Sequence, residues 1–172
     1  MLPVILVAVV ALVALYWMGF RDSSASGDLV TPEVAATIGS GDDAVAVGAD
    51  GTILVGLAVP EDASLPELPL ATPPEKGRLA GPLLEQARVL GAAPAALRPY
   101  IAGSYYGETG VDVELRSGIE LRFGSSAQAT RKWQAAATSL ADPSLTALDY
   151  VDLHAPSHPS IGGSGHELPP IP

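Results

Sequence analysis

Two short runs of alternating residues, Val111-Asp-Val-Glu-Leu-Arg116 and Ile119-Glu-Leu-Arg-Phe123, joined through Ser117-Gly118, limit what this chain can become. Val111, Val113 and Leu115 share one face of the first run and Asp112, Glu114 and Arg116 the other; Ile119, Leu121 and Phe123 repeat the alternation. Both are read as half-buried strands, apolar inward and charged outward. Opposed residues of an antiparallel pair project from the same face, so a two-residue turn would set Leu115 against Glu120. A three-residue loop, Arg116-Ser117-Gly118, instead opposes Leu115 to Ile119, Val113 to Leu121 and Val111 to Phe123. Gly118 then takes the left-handed position of a type I turn with a bulge, and Glu114 faces Glu120 in solvent.

The same logic extends outward from this hairpin. After Gly124, a second glycine assigned to backbone geometry, Ser125 and Gln128 have the spacing of a capping box. Ala129, Trp133, Ala136, Ala137 and Leu140 then recur at helical spacing, and Pro143 closes the helix. Ala147-Leu-Asp-Tyr-Val-Asp-Leu153 reads as a last strand. Upstream, Ala44–Gly48 and Thr52–Val55 flank Ala49-Asp50-Gly51; parity pairs Val47 with Ile53 and Val45 with Val55 around a left-handed Gly51, with Asp50 shaping the turn. Pro60–Pro82 is a stiff extended connection. Leu83, Leu84, Ala87 and Leu90 mark a short helix stopped by Gly91, a further helical turn spans Pro94–Ile101, and Ser104-Tyr105-Tyr106 starts a strand. The expected body is an α+β domain over residues 44–154, hairpins covered by helices around one core.

Residues 1–20 carry no charge, and eleven of them are Leu, Ile, Val or Phe. Twenty helical residues span about 30 Å, and those eleven favour insertion by at most about 3–6 kcal/mol. The reading is a transmembrane signal-anchor whose Tyr16, Trp17 and Phe20 sit at the interface. Ser23-Ser24-Ala25 offers the competing reading of a cleaved signal, against which stand the length of the apolar run and the lack of a preceding basic residue. No second Lys or Arg follows Arg21 until Lys76, which favours an extracytoplasmic C-terminal domain in a bacterial cell membrane. Residues 21–43 are a Ser, Gly, Asp and Ala-rich linker with one helical turn at Pro32–Thr37, and residues 155–172 a disordered Pro, Gly and Ser tail.

At this point the order of signals resembles a known family. Strand, Gly, strand ending in Phe-Gly-Ser, a helix carrying Lys132, then Tyr-Val-Asp-Leu is similar to the carboxy-terminal β domain of the bacterial cell-division protein FtsQ, or DivIB, over roughly residues 43–154. The POTRA module that the family places before this domain does not fit in the linker. The resemblance implies a noncatalytic divisome scaffold at the septum that docks the extracytoplasmic ends of FtsB (DivIC) and FtsL. The docking residues it implies are Tyr150, Val151, Asp152 and Leu153. The residues themselves favour the same place, since a last strand before a proline-containing tail lies at a sheet edge with unpaired backbone groups. Lys132 is read as a solvated helical charge.

Other functions find little support. A net charge of −10 disfavours nucleic acid and anionic lipid headgroups, and without cysteine there is neither a disulfide nor a thiolate metal site. No phosphate loop, Gly-x-Ser-x-Gly or His-Glu-x-x-His motif occurs, so neither catalysis nor a cofactor nor a small-molecule substrate is expected. His154, His158 and His166 invite a metal reading, but prolines 156 and 159 deny them a common helical face, and no metal is expected. Two alternatives remain: a divergent envelope interaction domain without a division role, and a secreted metal-binding protein using those histidines.

Overall fold

In chain order the elements are β1 (Val34–Ile38), β2 (Val45–Gly48), β3 (Ile53–Leu54), α1 (Gly81–Gly91), β4 (Ile101–Gly107), β5 (Gly110–Leu115), β6 (Glu120–Gly124), α2 (Ala129–Leu140), β7 (Ala147–Asp152) and β8 (Ser160–Glu167). Short 3-10 turns lie at Gly41–Asp43 and Arg98–Tyr100. The computed structural model describes residues 33–170 apart from 40, 60–64, 71, 73 and 76; the apolar run 1–20, with Tyr16, Trp17 and Phe20, falls outside them. Among the described residues no helix is long and apolar enough to cross a membrane. The fold is α+β, with sheets ordered β1-β2-β3 and β4-β5-β6-β7-β8.

Residues 66–68 lace the two sheets together. Thr37 N–H donates to the Pro66 carbonyl at 3.0 Å and Leu68 N–H to the Thr37 carbonyl at 2.8 Å, while Glu67 bridges both Thr37 and Gly103 in parallel. At the β3 end, Ile53 N–H donates to Gly77 and Leu79 N–H to Gly51. This segment covers that edge, as proteins commonly cover an exposed strand. At the opposite end, among the described residues, β8 is paired on one side alone, with β7.

The central hairpin has the parity its residues dictate, with one departure. Val113 pairs with Leu121 and Glu114 with Glu120, Leu115 N–H donates to Ile119, and Gly118 has φ +90°. Beyond Asp112, which pairs with Arg122, the register shifts and Val111 meets Gly124 rather than Phe123. Gly110 packs so closely on Gly124 (φ +67°) that an added Cβ would overlap its backbone, and a bulge accommodates the contact. The first hairpin pairs Val47 with Ile53 around Gly51 at φ +83°. The expected Val45–Val55 pair does not form, because Leu57 N–H turns back to Leu54 and leaves Val55 63% exposed.

Parallel pairing of β6 with β7 needs a crossover, which α2 supplies over the apolar face. Trp133 is wholly buried, its ring 4.9 Å from that of Phe123 and tilted by 54°. Its indole N–H donates at 2.7 Å to the Val89 carbonyl, one of the last four of α1, which have no partner within the helix. Ala92 N–H, Ala93 N–H and the Arg98 guanidinium meet the carbonyls of Arg88, Leu90 and Gly91. Gly91 is thus more than a stop signal: an added Cβ would overlap Ala49.

Four expectations are corrected. Residues 34–38 form β1 instead of a helical turn in a linker, because Ala35, Ala36 and Ile38 are buried in the sheet. The Ser125–Gln128 capping box does not form: Gln128 is left-handed at φ 58°, and Ser126 N–H is taken by the Glu85 carboxylate of α1 at 2.8 Å. Lys132 is only 4% exposed; its ammonium reaches the carbonyls of Phe123 at 2.6 Å and Ser125 at 3.0 Å, tying α2 to the end of β6. Residues 160–167 are not disordered but form β8.

Candidate functional site

The site is built across the five-stranded sheet and ends at its open border. Two cross-strand rows share the face turned away from the apolar core: Tyr105, Asp112, Arg122, Asp152 and Ser160, then Gly103, Glu114, Glu120, Tyr150 and Gly162. Glu120 accepts from the Tyr105 hydroxyl and from the Arg122 guanidinium. Arg122 in turn lies 4.0 Å over the Tyr150 ring, a cation–π contact. The Tyr150 ring reaches onto Gly162, where a Cβ would overlap it. A chain of contacts therefore runs from β4 to the border strand.

Hydrogen bonding by Tyr105, then Arg122, holds the Glu120 carboxyl below its ordinary value, and burial followed by Glu120 raises the Tyr105 phenol. Asp112 differs. It is 7% exposed and its buried Oδ1 has no hydrogen-bond partner. Burial, then the Glu120 charge, pushes its carboxyl above the ordinary value, with Asp152 adding and Arg122 and His154 opposing. A folded-state pKa above the unfolded value means that the ionised form weakens the fold above that pKa, a penalty removed as pH falls toward the unfolded value of 3.8. Asp112→Asn should therefore raise the thermal midpoint at about pH 7, with the gain shrinking toward about pH 4. Calorimetry at the two values checks this, and an equal effect at both contradicts it.

Of the residues expected to dock a partner, all four lie on or just after β7, an interior strand. Val151 pairs with Leu121 on one side and Ile161 on the other, Leu153 N–H donates to Arg122, and both side chains are wholly buried. Asp152 Oδ1 accepts from the His154 N–H at 2.9 Å and lies 2.8 Å from its Nδ1. Tyr150 alone extends toward the border. The expectation that β7 is the sheet edge is overturned because β8 occupies that position.

What the sequence reading missed is Asp149 and the glycines of β8. Between the pairs Leu148–His166 and Tyr150–Gly162 the register shifts, so Gly163, Ser164 and Gly165 bulge opposite Asp149. Asp149 Oδ1 accepts the Gly165 N–H at 2.6 Å. Side chains at 163 or 165 would overlap that carboxylate, and Gly163 has φ +79°. The Gly-Gly-Ser-Gly run was the available signal, since a bulged border strand uses such residues. Among the described residues no group of three or more His, Cys, Asp or Glu is placed to hold a metal ion; His158 lies against Ser157 and His166 packs over Gly118.

A family model for the C-terminal region of cell division protein FtsQ/DivIB matches residues 36–154, over two thirds of the chain. The chain belongs to the FtsQ/DivIB family. A role in cell division follows from that membership, and FtsQ/DivIB is a noncatalytic division family. The FtsQ/DivIB match opens within β1 and closes just after β7, so β8 lies beyond it. Comparison with curated proteins gives no match.

Proposed function

We propose that this chain is a membrane-anchored division scaffold that holds extracytoplasmic segments of FtsB/DivIC- and FtsL-type partners by strand addition along β8. The observation that carries the reading is the position of β8: it ends the five-stranded sheet, with β7 on one side and no described strand on the other. Its outer backbone groups are the kind of template a partner strand completes. Ile161, 41% exposed, and the exposed Ser164 flank the strip, and Tyr150 supplies an aromatic anchor beside Gly162. A polar groove between α2 and the loop into β8, lined by Arg131, Gln134, Thr138, His154 and Ser157, offers room for the partner chain nearby. The apolar run 1–20 supports a retained anchor with the domain outside the bilayer, and membership of a division family supports a septal position in that membrane.

A photo-crosslinking residue substituted for Ile161 or Ser164 in the native cell should capture the FtsB/DivIC-type protein, whereas one replacing the exposed Arg88 on α1 should not. Equal capture at all three positions, or none from β8, defeats the reading. Midcell fluorescence of a fusion separates a division role from a general envelope role.

A further inference from the structure

We propose that the segment accepted by β8 is a basic one, carrying a Lys or Arg that crosses the Gly163–Gly165 bulge to pair with Asp149. This rests on the strand-addition reading and adds the chemistry of the partner. A border strand normally screens what lies behind it with its own side chains. Here positions 163 and 165 have none, so the exposed Asp149 carboxylate on β7 is approached over bare backbone. One oxygen accepts the Gly165 N–H at 2.6 Å and the other faces Gly163. Among the described residues Asp149 makes no ion pair.

On β7 and β8 themselves the formal charge has one sign, the nearest arginines, Arg122 and Arg131, belonging to β6 and α2. After Lys132 the chain contains no Lys or Arg, but it does contain Asp142, Asp149, Asp152 and Glu167. Three of these four lie on β7 or β8, in a chain whose net charge is −10. A like-charged segment laid along this border would be repelled, whereas a basic one is steered to it and fixed in register where the glycines give access. The bulge also divides the border into Ser160–Gly162 and His166–Glu167. The pairing stretch of the partner is therefore short, and the cation adjoins it.

The test compares retention of the native cell's FtsB/DivIC-type protein by full-length wild type and Asp149→Asn in membrane nanodiscs, at low and high salt. Asparagine keeps an acceptor for Gly165 N–H and removes only the charge. Asp149→Asn should bind roughly tenfold more weakly at low salt, and its residual binding should respond less to salt than that of wild type. Equal affinity and equal salt response in the two proteins overturn the basic-partner inference while crosslinking at Ile161 leaves strand addition standing. Weaker binding with an unchanged salt response also overturns it, because that is the signature of a loosened bulge. Absence of both retention and crosslinking overturns strand addition itself, and the inference with it.

Discussion

Replacing Trp133 with alanine should lower the free energy of unfolding by about 3–5 kcal/mol, against a total of about 5–15 for a domain of this kind. The side chain is wholly buried between α1 and the sheet, packed on Phe123, and it is the largest fully buried side chain among the described residues. Two effects add. The cavity forfeits the ring's contacts with the core, and the Val89 carbonyl at the end of α1 loses its donor. Trp133→Phe separates them: it refills most of the volume without an N–H and should recover more than half of the loss. The thermal midpoint of the alanine variant should fall by roughly 10–20 °C. A fall of under about 3 °C would mean that α2 does not seal the core.

Proline at Val151 should unfold the domain, not merely release a partner. Val151 is flanked by Leu121 on β6 and Ile161 on β7's other side, on β8, so its N–H lies within the sheet whichever neighbour accepts it. Proline removes that donor, leaves a buried carbonyl unmet, loses a wholly buried side chain and sets a ring against a neighbouring strand. Each should cost about 1–3 kcal/mol, so that together they reach the lower end of the roughly 5–15 kcal/mol that holds such a domain folded. The cooperative thermal transition and the near-ultraviolet dichroism should be lost together. A variant that melts as wild type does would show that β7 tolerates an open side, contrary to its place in the sheet order.

These expectations divide what could be read from the residues from what could not. The hairpin of β5 and β6, α1, α2 and β7 were legible because strong alternation or helical spacing coincides with burial: Val113, Leu121, Trp133 and Val151 are both patterned and wholly buried. The family was legible from the same elements in the same order. β1 was obscured by its alanines and by the Ser, Gly and Asp around it; it is a strand because β2 and residues 66–68 pair with it on both sides. Lys132 looked solvated because its type suggests exposure, yet its long stem carries the ammonium inward to two carbonyls.

β8 was the least legible element and the one on which the proposed docking rests. Nothing in Ser-Ile-Gly-Gly-Ser-Gly-His-Glu favours an extended strand by itself. Its order comes from contacts distant in sequence: Tyr150 over Gly162, Asp149 beneath the bulge, Leu168 against the core, and the Tyr100 hydroxyl on the Pro170 carbonyl at 2.8 Å. The strand read as the sheet edge, β7, is therefore one strand inward of it. Tyr150 keeps a place at the border, Asp149 gains one, and Val151 and Leu153 belong to the interior.

The bulge that interrupts β8 also bears on what this border does while vacant. Regular ribbons with open margins recruit copies of themselves, and growth into fibrils is the hazard. Two of these molecules meeting margin to margin would each present a kinked strip with negative groups behind it, poorly matched in shape and mutually repulsive. The same irregularity that narrows the choice of partner therefore guards the molecule against its own kind.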